Sequence, residues 1–61
     1  MTGYMVSSYW RGALNISDMR LFDNEVDAKA YIKNILKPSD PTFVRLYKLS
    51  DNAEPVKMRF P

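Results

Sequence analysis

The clearest pattern in the chain runs from Asn24 to Lys37. Its apolar residues Ala28, Tyr31, Ile32, Ile35 and Leu36 fall at i, i+3, i+4, i+7 and i+8, which makes one stripe along an α-helix. Lys29, Lys33, Asn34 and Lys37 lie off that stripe. Asp23 or Asn24 offers a short polar side chain for the N-cap, where it satisfies an orphan backbone N–H. Glu25 and Asp27 stand in the first turn and Lys33 and Lys37 near the end, the order that complements the helix dipole. Glu25 and Lys29 form a favourable i,i+4 pair. Pro38 then stops the helix.

The flanking segments follow a period of two. Tyr4 to Trp10 is rich in aromatic and β-branched residues and predicts a strand. Arg11-Gly12 is a candidate turn, with Gly12 free to take a positive φ. A second extended stretch is expected over Ala13 to Phe22. Leu14 and Ile16 share one parity there, Met19 and Leu21 the other, so a bulge or break near Ser17-Asp18 is expected to reconcile them. After a loop from Lys37 to Thr42, shaped by Pro38 and Pro41, Phe43 to Leu49 is a strong strand candidate. Ser50 to Glu54 is polar and turn-forming. Val56, Met58 and Phe60 alternate with Lys57 and Arg59, as on a half-buried strand with a charged outer side at a sheet edge. The chain is therefore expected to be a single α+β domain over residues 1–61. Its order is β-β-α-β-β: a small antiparallel sheet of three to four strands, with one helix packed on one face.

One helix shields only one side of such a sheet, and Phe43 to Leu49 is apolar on both. If Val44 and Leu46 meet the helix, Phe43, Arg45 and Tyr47 occupy the uncovered face. Lys57 and Arg59 join them if Val56, Met58 and Phe60 turn inward. Aromatic rings and arginine supply area, cation–π capacity and charge-assisted hydrogen bonds, so these five residues are the first candidates for contact with a partner. The alternative is that the aromatics are cross-strand cover for a small core. Trp10 and Arg11 are a second candidate pair, since Trp and Arg near a turn are frequent interface anchors. A lone Trp in so short a chain is equally suited to anchor the core, with Arg11 solvated, and that reading is preferred.

With 61 residues, the chain buries only about 60% of its unfolded surface. It has no Cys and no His. Disulfides are excluded, and the common zinc and iron–sulfur ligand sets are absent. Nucleophile–base pairs built on His or Cys cannot form. Only two glycines are present, and no phosphate-cradling loop can be made of them. The carboxylates Asp18, Asp23, Glu25, Asp27, Asp40, Asp51 and Glu54 fall mostly at expected turns and caps, where they have local structural work. Asp23, Glu25 and Asp27 cluster, but capping explains them better than a divalent-ion site. The chain is therefore expected not to be an enzyme and to carry no cofactor or metal. Net charge is +2, short of a dedicated nucleic-acid clamp. The absence of Cys, of a signal-peptide pattern and of any apolar segment of membrane-spanning length fits a cytoplasmic protein with no membrane partner.

Arg20 to Ala28 (Arg-Leu-Phe-Asp-Asn-Glu-Val-Asp-Ala), then Tyr31-Ile32, then Phe43 to Leu49 (Phe-Val-Arg-Leu-Tyr-Lys-Leu) resembles the small hairpin–helix–strand accessory proteins with which tailed bacteriophages take over their hosts. The resemblance lies in segment order from Tyr4 to Leu49, and no residue role comes with it. It implies a small protein that binds a host protein and blocks or redirects it. The expected function is a non-enzymatic protein-binding module, an inhibitor or modulator acting by steric docking. The alternative is a nucleic-acid-binding accessory protein in which Phe43 and Tyr47 stack on bases while Arg45, Lys57 and Arg59 contact phosphates. A homodimer closing its uncovered faces on each other is compatible with the first reading.

Overall fold

The computed structural model describes residues 2–60. Its elements are β1 (Gly3–Trp10), β2 (Ile16–Phe22), α1 (Glu25–Tyr31), β3 (Phe43–Ser50) and β4 (Ala53–Met58). Every neighbouring strand pair is antiparallel, and the order across the sheet is β2-β1-β3-β4. This is the α+β arrangement the sequence predicts, with the last strand at an edge as expected.

Register explains the core. Val6 pairs with Leu46, and Leu46 with Met58. Both Val6 and Leu46 point toward the helix and are buried, where they meet Ala28, Ile32 and Leu36. Tyr4, Trp10, Phe22, Tyr31, Val44, Met58 and Phe60 pack around this cluster. Burying five side chains is little for a domain, so each contributes a large share of the stability.

Asn24 caps the helix as its position predicts. Its Oδ1 accepts the Asp27 backbone N–H at 2.8 Å, and its Nδ2 donates to Asp27 Oδ2 at 3.0 Å. Glu25 and Lys29 pair at 2.7 Å. Asn24→Ala is expected to cost about 1 kcal/mol, read from thermal or urea melts. A loss of only a few tenths would show that the helix start is held by tertiary packing instead.

The helix does not continue regularly to Lys37. Ile32–Leu36 forms a wider turn, in which the Lys37 N–H donates to the Ile32 carbonyl, and Lys37–Ser39 a tighter one. A wide turn advances less angle per residue. Leu36 therefore still lands on the inner stripe, while Ile35, expected there, falls off it and is 57% exposed. Ser39 Oγ donates to the Leu36 carbonyl at 2.7 Å, and Asp40 ends the segment with φ 55°. The Thr42 N–H then donates to the Tyr9 carbonyl at 2.7 Å, tying the helix exit to β1.

The first hairpin differs from expectation. β2 begins at Ile16 rather than Ala13, and Trp10 pairs with Ile16, leaving a five-residue loop from Arg11 to Asn15. Gly12 does not take a positive φ; among the described residues Gly3 and Asp40 do. At Gly3 the need is plain: with φ +139°, an added Cβ would stand 2.7 Å from the Phe22 carbonyl oxygen. β2 carries no bulge, because its seven residues pair in unbroken register with β1. The conflicting parities are resolved by exposure instead. Leu14 sits in the loop, Ile16 at the strand end, and Met19 and Leu21 face away from the helix. The register shift falls between Lys48 and Ser50, which pair with Val56 and Ala53. Glu54 and Pro55 thus both lie opposite Leu49, and the proline, which has no N–H to donate, occupies a bulge on an edge strand.

Ser8 is the one buried polar side chain among the described residues, and its hydroxyl has no hydrogen-bond partner there. Replacing it by alanine removes a desolvated group without a counterpart. Ser8→Ala is expected to leave stability unchanged or raise it by up to about 1 kcal/mol. A loss greater than that in urea melts would mean the hydroxyl is bonded in solution.

Candidate interaction surface

Seen from the side opposite the helix, three rows of residues cross the strands. Leu21, Met5, Tyr47 and Lys57 form one row, Met19, Ser7 and Arg45 the next, and Ser17, Tyr9 and Phe43 the third. Leu49 lies at the corner near the bulge. The Cα trace extends 39 × 20 × 16 Å, too thin for another layer on this side. Met19 is 64% and Leu21 55% exposed, and Phe43 is exposed as well.

The aromatics on this face are organised among themselves. Tyr9 and Phe43 stack with centroids 5.3 Å apart and planes 20° from parallel. The Arg45 guanidinium lies 4.4 Å from the Phe43 ring centroid. At that distance the ring quadrupole attracts the cation, which keeps its N–H donors for a partner.

The structure thus brings together Phe43, Arg45, Tyr47 and Lys57. Arg59 is exposed one residue past the end of β4 and continues the parity of Lys57. Trp10 does not belong to this face. It packs against the core on the helix side, and its Nε1–H donates to the Ser39 carbonyl at 3.2 Å. Arg11 is exposed in the β1–β2 loop, its backbone N–H donating to Thr42 Oγ1 at 2.9 Å. These two therefore stand apart from the other five candidates. Met5, Tyr9, Met19 and Leu21 were missed by parity alone, since only the strand pairing shows that they share a surface with Tyr47.

Three of the carboxylates, Asp18, Glu25 and Asp27, are engaged away from this face. Asp18, expected beside an irregularity in the second strand, lies within a regular β2 on the helix side. There its Oδ2 accepts from Arg20 Nε at 3.2 Å and from the Tyr31 hydroxyl at 3.3 Å. The Asp18 hydrogen bond, with Tyr31 beside it, raises the Arg20 pKa above its ordinary value. Arg20 also sits over the Tyr31 ring at 5.3 Å, and Phe22 packs on the same ring. This cluster pins β2 to the helix. Asp27 and Glu25 are engaged with Asn24 and Lys29, and no group of metal-ligating side chains is assembled among the described residues. A concavity of ≈ 320 Å³ beside the helix is lined by Lys29, Ala30, Ile32, Lys33, Lys37 and Phe60, with no carboxylate or hydroxyl for acid–base work. No helix among the described residues is long and apolar enough to cross a membrane.

Compared with protein-family models, with curated proteins and with solved structures, the chain finds no match, so its functional reading rests on this geometry.

Proposed function

We propose that the chain is a small non-enzymatic protein-binding module that docks through its open sheet face and inhibits or modulates its partner by steric occupation. The observation that carries this reading is the uncovered side of the sheet, where Met19, Leu21 and Phe43 are exposed in rows with Arg45 and Tyr47. Contiguous exposed apolar surface of this kind marks interaction sites. The chain exposes 4650 Å², whereas a typical 7.1-kDa monomer exposes about 4,100 Å². The arrangement also fits the mode of action implied by the phage-type segment order.

The nucleic-acid reading is weaker on one observation. Tyr9 and Phe43 stack on each other and Arg45 caps Phe43, so these rings have fewer free faces on which bases can stack.

The test is retention from a lysate of the source cell by the immobilised wild-type chain and, side by side, by Leu21→Ser and Arg45→Ala. The expected result is a stoichiometric partner that survives moderate salt on the wild type and is lost from both variants, which stay folded. Equal retention on all three removes this face as the docking surface.

A further inference from the structure

We infer that the partner presents an acidic, apolar-flanked surface, with two carboxylates about 7 Å apart set beside aliphatic side chains. This inference rests on the docking reading above and adds the chemistry of what docks. Its basis is a census of charge. Arg45 and Lys57 both lie on the open face, and neither has an ion-pair partner among the described residues. Of the seven carboxylates, Asp18 faces the helix, Asp23, Glu25 and Asp27 surround the helix start, Asp40 lies in the helix exit, and Asp51 and Glu54 belong to the β3–β4 hairpin. None stands in the paired rows of the open face; Glu54, in the bulge opposite Leu49, comes nearest in register. The face is thus cationic in a chain whose net charge is only +2.

The cations are also placed as a pair. Lys57 is directly opposite Tyr47, and Arg45 is two residues along β3, so the two are diagonal neighbours, typically 7–8 Å apart. Alternate residues of an extended segment are spaced by about 6.6 Å and match that separation. The Arg45 guanidinium carbon, held 4.4 Å from the Phe43 ring centroid, places a fork of N–H donors on this face for a carboxylate. Met5, Met19 and Leu21 lie in the adjoining strands and receive the apolar flank. A second copy of this chain docked face to face brings Arg45 and Lys57 toward their own equivalents, a like-charge contact that disfavours self-association.

The experiment titrates the isotopically labelled full chain, by NMR, with two capped peptides. In one, the order is leucine-serine-glutamate-serine-glutamate-serine-leucine, which puts two glutamates about 6.6 Å apart between leucines on one side of an extended chain; in the other, lysine replaces glutamate. An oligothymidylate serves as a third titrant. The acidic peptide is expected to shift Met5, Leu21, Arg45, Tyr47 and Lys57 saturably and to bind roughly tenfold tighter than the basic one at low salt. The double variant Arg45→Glu/Lys57→Glu is expected to reverse that preference. No shift on this face, equal affinity for both peptides, or no reversal overturns the inference. Binding of the oligothymidylate there replaces it with the nucleic-acid reading, and shifts that follow protein concentration alone replace it with a second copy. If the lysate partner is lost from Arg45→Ala but the peptides are not distinguished, docking stands and its acidic chemistry falls.

Discussion

Leu46→Ala is expected to remove about half or more of the chain's stability at 25 °C. Leu46 has 0% exposure and occupies the middle of β3, between Val6 on one neighbouring strand and Met58 on the other. It packs on the helix stripe of Ala28, Ile32 and Leu36. Truncating a buried leucine costs about 2–5 kcal/mol, made up of lost transfer energy and the cavity left behind. A domain of this length has only about 3–9 kcal/mol to lose. The cavity is bordered by strands on both sides and cannot close without moving a ladder, which puts the cost toward the upper end. Urea denaturation followed by the fluorescence of Trp10, which packs against the same core, measures it. Val56→Ala is the control: Val56 shares the inward parity of Leu46 but lies beyond the helix's cover and is exposed, so its truncation is expected to cost under about 0.5 kcal/mol. A loss below about 1 kcal/mol at Leu46 would mean the helix does not pack where the structure has it.

That contrast also shows where the sequence was legible. Period-two and period-3.6 patterns report which side of an element is apolar, and they placed Ala28, Tyr31, Ile32 and Leu36 against Val44 and Leu46. They do not report how far the helix reaches across the sheet. Val56 was expected to turn inward, and it does, but no helix lies above it. Ile35 was misplaced because the pattern assumes a uniform turn. Pro38 has no N–H for the Asn34 carbonyl, and the last turn widens to pair Lys37 with Ile32. The β2 error has a different cause. Requiring every apolar residue to be buried led to a bulge or break at Ser17-Asp18, whereas the fold leaves Met19 and Leu21 uncovered. The bulge lies instead at Glu54-Pro55, where a proline inside a strand was the available sign. Asp18 falls within the expected second strand, but its contacts with Arg20 and Tyr31 could not be read from the sequence, because they depend on how the elements pack together.

The candidate surface was legible in part for the same reason. Strand parity groups Phe43, Arg45 and Tyr47, because side chains alternate along a single strand. It cannot attach Met5, Tyr9, Met19 and Leu21 to them, since that needs the register between strands. Trp10 illustrates the opposite limit. Residue type leaves it between interface and core, the core being preferred, and its parity with Val6 carries it to the helix side, where it packs on the core and its indole N–H meets the Ser39 carbonyl.

Tyr47→Ala is expected to separate binding from folding. Tyr47 lies in the middle of the open face, flanked by Met5 on β1 and Lys57 on β4. Its side chain makes cross-strand contacts but takes no part in the buried cluster. Truncation is therefore expected to lower stability by no more than about 1 kcal/mol. Binding is expected to suffer more. A tyrosine at the centre of a docked surface is worth about 2 kcal/mol or more on truncation, a loss of roughly thirtyfold in affinity. The central position matters because flanking contacts exclude water from it, whereas Arg59 past the end of β4 remains at the solvated rim. Arg59→Ala is accordingly expected to change affinity less than about threefold and mainly through the association rate. Calorimetric titration of the partner recovered on the wild-type chain, with urea melts of each variant, measures both quantities. If Tyr47→Ala weakens binding no more than Arg59→Ala does, the centre of docking lies away from Tyr47, and the β2 side of the face, with Met19 and Leu21 exposed, becomes the surface to test.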